Sequence, residues 1–223
     1  MARAPARLYT AAQVRELDRR AIEDHGIDGH ELMKRAGAAA FRLLRLRWPA
    51  ARRIAVYCGG GNNGGDGLVV ARLARAAGME VTLGLQREPE RLGGAAAAAW
   101  ADWAAAGGTA AALEAVDPAG ADVAVDALLG TGLDRPVSGP IGAVIRRLDA
   151  AGVPVLALDV PSGLDADSGA VLGDAVRAAA TITFIGAKRG LYTGAAPNRT
   201  GPVFLDDLDA PPAIHADSGP TVA

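Results

Sequence analysis

Residues Ile54–Gly78 read IAVYCGGGNNGGDGLVVARLARAAG, and this stretch decides the fold. An unbroken apolar run, Ile54 to Cys58, suits a strand buried on both faces, as in a parallel sheet. The loop that follows holds six glycines, Asn62, Asn63 and Asp66, and an amphipathic segment over 64–77 resumes as a helix. Strand, glycine-rich loop and helix in that order open a βαβ unit, and glycine-exposed amides at a helix start make a seat for a pyrophosphate. Gly59, Gly61 and Gly64 satisfy G-x-G-x-x-G. The acidic residue that would hold a ribose about 20 positions further on is absent, because that region reads Leu85-Gln86-Arg87. A Walker A loop is excluded as well, since Asp66 stands where lysine and Ser/Thr would be required.

Outward from this unit the same pattern recurs. Strands are predicted over 54–58, 81–85, 123–129, 155–160, 181–185 and 203–205, with helices over 64–77, 92–106 and 141–151 between them. Two helices precede the first strand. Thr10 with Gln13 forms a capping-box pattern ahead of Val14, Leu17 and Ala21, and Asp28 with Glu31 starts a second helix carrying Leu32, Ala36, Ala40 and Leu43 on one side. The expected fold is an α/β class three-layer α/β/α sandwich, a Rossmann-like, doubly wound, mainly parallel sheet with two N-terminal helices. One domain is expected over 1–208, followed by a proline-rich tail over 209–223.

Composition narrows the function. With 223 residues, half of them hydrophobic, and a formal charge of -2, the chain offers no electrostatic case for nucleic acid or an anionic membrane. No apolar run approaches the ~20 residues of a membrane span. One cysteine, Cys58, excludes an intrachain disulfide, and the first twenty residues lack the apolar core of a signal peptide. A soluble, cytoplasmic protein is expected.

Ligands of open α/β sheets bind beyond the carboxyl ends of the strands, so the residues there are the candidates. Asp126 runs into Gly130-Thr131-Gly132, Asp159 is followed by Ser162, and Lys188 follows the TITFIGA strand; it is one of only two lysines, the other being Lys34. A carboxylate at the end of an apolar strand is costly unless bonded or paired, so each aspartate either caps the following loop or belongs to a site. Lys188 is either a site residue or a solvated lysine. Asn63, Asp126 and Ser162 offer only oxygen, which suits a hard cation and not zinc. His30-Glu31-Leu32-Met33-Lys34 is not H-E-x-x-H, and Ser162 is not in G-x-S-x-G. Cys58 reads as a small core residue.

Together GGGNNGGDGLVVARLA (59–74), DALLGTGLDRPVSGP (126–140), ALDVPSGLDADSG (157–169) and TITFIGAKRGLYTG (181–194) resemble the NAD(P)H-hydrate epimerase family, the YjeF N-terminal domain. The opening over 8–37 resembles the two-helix start of that family, so the likeness covers about residues 8–206. Ala187 departs from the proline that usually precedes the lysine.

The resemblance implies an isomerase that interconverts the R and S epimers of hydrated NADH or NADPH (NADHX, NADPHX). It feeds a separate S-specific dehydratase, which many bacterial members carry as a second domain. By the same resemblance Asn62, Asn63, Gly64, Gly65, Asp66, the stretch Gly130, Thr131, Gly132, Leu133, Asp134, Arg135 and Pro136, and Asp159 bind the substrate. Asn63, Asp126 and Ser162 hold one potassium ion per subunit, no redox cofactor is needed, and the protein is a homodimer. Inverting a hydroxyl-bearing carbon requires a general acid–base, for which Asp159 is the candidate with Lys188 assisting. A non-catalytic scaffold or ligand-binding module on the same fold is the alternative. An NAD-dependent oxidoreductase is disfavoured by the missing ribose acid.

Overall fold

A computed structural model describes residues 7–216. Helix α1 (Ala11–Arg19) begins as predicted: Thr10 Oγ1 accepts from the Gln13 N–H at 3.1 Å, and the Gln13 side chain accepts from the Thr10 N–H at 2.8 Å. After a short π-helical segment, Arg20–Asp24, α2 (Gly29–Arg47) starts with the Asp28 carboxylate accepting from the Glu31 N–H at 3.0 Å. Leu32, Ala36, Ala40 and Leu43 are all buried.

The described residues form one parallel sheet of seven strands: β1 (Arg53–Cys58), β2 (Glu80–Leu85), β3 (Ala111–Ala112), β4 (Val123–Ala127), β5 (Val155–Leu158), β6 (Ala180–Phe184) and β7 (Val203–Asp206). Their spatial order is β3-β2-β1-β4-β5-β6-β7. The chain winds outward from β1 in one direction and from β4 in the other, so the β1/β4 boundary is the switch point where a crevice opens. Helices α3 (Asn62–Ala76) and α4 (Gly94–Ala105) connect the first three strands, and α5 (Gly139–Ala151) connects β4 to β5. Alternation along β1 sends Ile54, Val56 and Cys58 to one face and Ala55 and Tyr57 to the other. The first face is covered by α1 to α4 and holds the larger core; α5 covers the second.

Four details differ from the pattern read in the sequence. β3 is an added two-residue edge strand whose alanines carry no strand signal. Helix α3 starts at Asn62, which places both asparagines in its first turn. β4 and β5 stop two residues short of the ends of their apolar runs, because Leu128–Leu129 and Asp159–Val160 already turn toward the crevice. Finally, the segment from Asp209 is docked as far as Ala216. Ile214 is fully buried in the main core, the Arg20 guanidinium donates to the Ile214 and Ala216 carbonyls at 3.1 and 2.6 Å, and Tyr9 Oη lies 3.1 Å from His215 Nδ1. Burying one isoleucine contributes about 2 kcal/mol, enough to hold a short segment whose sequence shows no periodicity. The rest of the expected tail, 217–223, lies outside the described residues. Among the described residues no helix is long and apolar enough to cross a membrane.

Candidate active site

A cavity of about 1140 Å³ opens along the carboxyl edge of the sheet. Its floor is made by three loops that leave β1, β4 and β5. On the β1 side, a Cβ on Gly59 would collide with the Leu128 carbonyl oxygen, and one on Gly64 with the Gly59 carbonyl oxygen. Gly59 lets the β1 and β4 loops close on each other, and Gly64 lets the start of α3 fold tightly onto its own loop. Gly61 is the N-cap of α3, its position is open, and no side chain caps it. The first-turn amides of α3 therefore remain available to an anion, and Asn62 and Asn63 line the cavity beside them. Gly64 and Gly65 do not line it; Gly65 packs against the Met33 sulfur and α4. Asp66 is buried in α3. Burial first, then the charges of Asp159 and Asp18, push its carboxyl well above the usual range, with Lys188 opposing.

Asn63, Asp126 and Ser162 come together around Leu129. The Asn63 amide donates to the Leu129 carbonyl at 2.9 Å, and the Leu129 N–H donates to Ser162 Oγ at 2.9 Å. Ser162 Oγ donates to Asp126 Oδ1 at 2.6 Å and its N–H to Oδ2 at 2.8 Å, while the Leu128 N–H reaches Oδ1 at 3.2 Å. Asp126 sits within β4 and is fully buried; burial pushes its carboxyl up to about 6 against the opposing bonds from Ser162. Asn63 Oδ1 is buried without a hydrogen-bond partner. A buried orphan carbonyl oxygen beside a buried carboxylate and a hydroxyl fits a hard cation. Neither Asp126 nor Ser162 lines the cavity.

The ends of β5 and β6 are built alike. Asp159 has φ +66° and sits in a turn closed by the Val160 N–H on the Leu158 carbonyl at 2.8 Å; Ile185 has φ +61° and the Gly186 N–H on the Phe184 carbonyl at 2.6 Å. A positive φ with an i to i+2 bond marks the rare γ-turn, a strained form for residues other than glycine. The paired turns lift Asp159 and the loop to Lys188 into the cavity. Lys188 is 1% exposed and donates to Asp159 Oδ1 at 2.5 Å and to Thr183 Oγ1 and the Phe184 carbonyl at 3.0 Å each. Its loop is fixed by Tyr9, whose N–H donates to the Ala187 carbonyl and whose carbonyl accepts from the Arg189 N–H.

The stretch Gly130 to Pro136 lines the cavity throughout, and the Thr131 carbonyl accepts from Arg15 at 3.1 Å. The sequence reading missed the wall that the first helix supplies: Arg15 and Asp18 of α1, with Ile22 of the π-helical segment after it, form one helical stripe along it. An isolated aspartate on an amphipathic helix carries no signal of its own. Cys58 is fully buried and burial raises its thiol, as suits a core residue.

Comparison with known proteins places this architecture among relatives. The family model described as YjeF-related protein N-terminus matches residues 29–190. A bifunctional NAD(P)H-hydrate repair enzyme Nnr of Coxiella burnetii is 50% identical over 203 residues, 90% of this chain and 41% of that protein. The Escherichia coli enzyme of the same name is 45% identical over 204 residues, 92% of this chain and 40% of that one. The chain thus spans about two fifths of the length of these two relatives. An NAD(P)H-hydrate epimerase of Bordetella pertussis is 44% identical over 195 residues, covering 85% of this chain and 84% of that protein. The crystal structure of yeast ynu0 (YNL200c) shares the fold with a TM-score of 0.82 at 19% identity, over 96% of this chain and 94% of that one.

Proposed function

The chain belongs to the family of YjeF-related protein N-termini, and from that premise we propose that it is an NAD(P)H-hydrate epimerase acting on NADHX and NADPHX. The observation that carries this reading is one cavity joining an uncapped helix N-terminus to the Asp159–Lys188 pair. An anion seat at one end and a carboxylate at the other suit a diphosphate-linked ring with an invertible carbon.

The α3 amides, Asn62 and Asn63 hold the diphosphate, and the loop from Gly130 to Pro136 closes along it. At the carbon to be inverted, the adjacent ring nitrogen forms a C=N bond as the hydroxyl leaves as water. Water then adds from the opposite face and the nitrogen regains its electron pair. Asp159 serves as general acid–base, and Lys188 keeps it oriented and compensated. No electrons are transferred, so the reaction needs no redox cofactor. Asn63, Asp126 and Ser162 would hold a potassium ion, which would offset the buried Asp126 charge and satisfy the orphan Asn63 oxygen. The protein is read as a cytoplasmic homodimer working beside an S-specific dehydratase.

A coupled assay tests this. Purified R-NADHX is incubated with an S-specific dehydratase and its nucleotide, with this protein added in potassium or in sodium alone. Faster recovery of reduced-cofactor absorbance, dependent on potassium, supports the reading and the ion. No acceleration by folded protein would leave a binding or scaffold role.

A further inference from the structure

Epimerisation breaks a C–O bond on one face of the ring and forms one on the other, and a single fixed carboxylate addresses one face. Asp159 is fixed: Oδ1 is taken by Lys188, and Oδ2 lies beside Gly130. Lys188 cannot serve as the second acid, because all three of its ammonium donors are committed, to Asp159, Thr183 and Phe184. Asp18 enters the same cavity from a different element, α1. Among the described residues no hydrogen bond or ion pair takes up its carboxylate. Its cationic neighbours on the helix are all turned elsewhere: Arg15 to the Thr131 carbonyl, Arg19 to Glu16, Glu23 and Asp24, and Arg20 to Glu16 and the segment at Ile214. A half-buried carboxylate left unpaired among three arginines is held in reserve for something the cavity receives.

We propose that Asp18 is a second catalytic acid–base, working from α1 on the ring face opposite to Asp159, an inference that rests on the epimerase reading. In one direction the carboxylic acid of Asp18 gives its proton to the leaving hydroxyl as the C–O bond breaks and the ring nitrogen's pair forms C=N. Asp159 then takes a proton from the water whose oxygen bonds to carbon on the other face, and the C=N pair returns to nitrogen. One water is released, one is consumed, and one proton moves from Asp18 to Asp159; the reverse direction exchanges the roles. The site therefore operates with one proton shared between two carboxylates. Burial raises the Asp18 carboxyl to about 6, with Lys188 lowering it and Asp159 raising it, which suits a group that must be an acid in one direction and a base in the other. The other charged groups lining the cavity are Asp66 on α3, Arg15 on its own helix, Arg87 after β2, Glu114 after β3, and Asp134 and Arg135 on the β4 loop.

The test follows R-to-S interconversion of NADHX by the wild type, Asp18→Asn and Asp18→Glu, each checked for folding by thermal melting, with Asp18→Ser as a second variant should Asp18→Asn not fold. Loss of about 100-fold or more in kcat with KM within about threefold, partial recovery in Asp18→Glu, and disappearance of a kcat/KM transition expected near pH 6 in the wild type are the expected results. An Asp18→Asn enzyme with kcat within about threefold of wild type overturns the inference and leaves the epimerase reading standing. So does a kcat loss with the pH profile unchanged and no recovery by glutamate. A folded wild type that does not accelerate interconversion overturns both.

Discussion

The carboxyl ends of β4 and β5 are neighbours, each carries one aspartate, and the fold uses them in opposite ways. Asp126 stays inside its strand, sealed by bonds from Ser162 and Leu128. Asp159 is pushed out of its strand onto a strained turn and paired with a buried lysine at the cavity wall. The first arrangement satisfies a carboxylate with neutral donors and leaves it out of reach of a large ligand. The second balances charge with charge and leaves the side chain lining the cavity. Identical side chains at adjacent strand ends thus divide into one sealed inside its strand and one presented at the cavity wall, and the backbone turn makes the difference.

The largest expected effect comes from Asp159→Asn: turnover falls by about 100-fold to 10,000-fold with substrate still saturating. Asparagine tolerates the left-handed backbone, but the variant also loses stability because the Lys188 ammonium is left buried without a counter-charge. Adding Lys188→Met should recover much of that stability and none of the activity, as a double-mutant cycle of melts and rates will show. If the single and double variants melt alike, the pair is not the unit described here.

Asp126→Ala should act in the reverse sense. It strands the Ser162 and Leu128 N–H groups and leaves the Ser162 hydroxyl only the Leu129 carbonyl, at a cost of about 3 kcal/mol in denaturant unfolding. Substrate affinity of the folded fraction should change less than stability does. A variant as stable as wild type would remove the contrast between the two strand ends.

A smaller effect sharpens the comparison from α1. The folded Asp18 carboxyl titrates at about 6, above its unfolded value near 4. Its contribution to stability is therefore fully present below about pH 4 and is lost as pH rises through about 6. Asp18→Asn removes that loss. The full shift corresponds to about 3 kcal/mol; discounted for solvent screening of a partly exposed carboxylate, the variant should gain on the wild type by about 1 kcal/mol between pH 4 and pH 8 in denaturant melts. A constant difference across that range would mean that Asp18 is not held in the cavity.

How much of this was legible follows from how each feature is encoded. The capping box at Thr10 and Gln13, the apolar strands and the loop from Gly59 to Asp66 are local patterns, and they survive translation into structure. The meeting of Asp159 with Lys188 was foreshadowed because both follow strands of a parallel sheet, whose carboxyl ends share one edge. Asp18 was not legible, since its place in the cavity depends on how α1 closes over that edge. Nor were the turns at Asp159 and Ile185, because positive φ at a β-branched isoleucine contradicts local preference and is imposed by the surrounding strands. Ile214 was invisible for a simpler reason: one apolar residue makes no period.

The contact between Tyr9 and His215 brings the first and last described segments of the chain within 3.1 Å of each other. A short linker could therefore join them, and the polypeptide could be reopened at an exposed loop such as 88–91, between β2 and α4. Such a circular permutant would keep every strand neighbour among the described residues. The order in which the segments leave the ribosome would change, and the site would not.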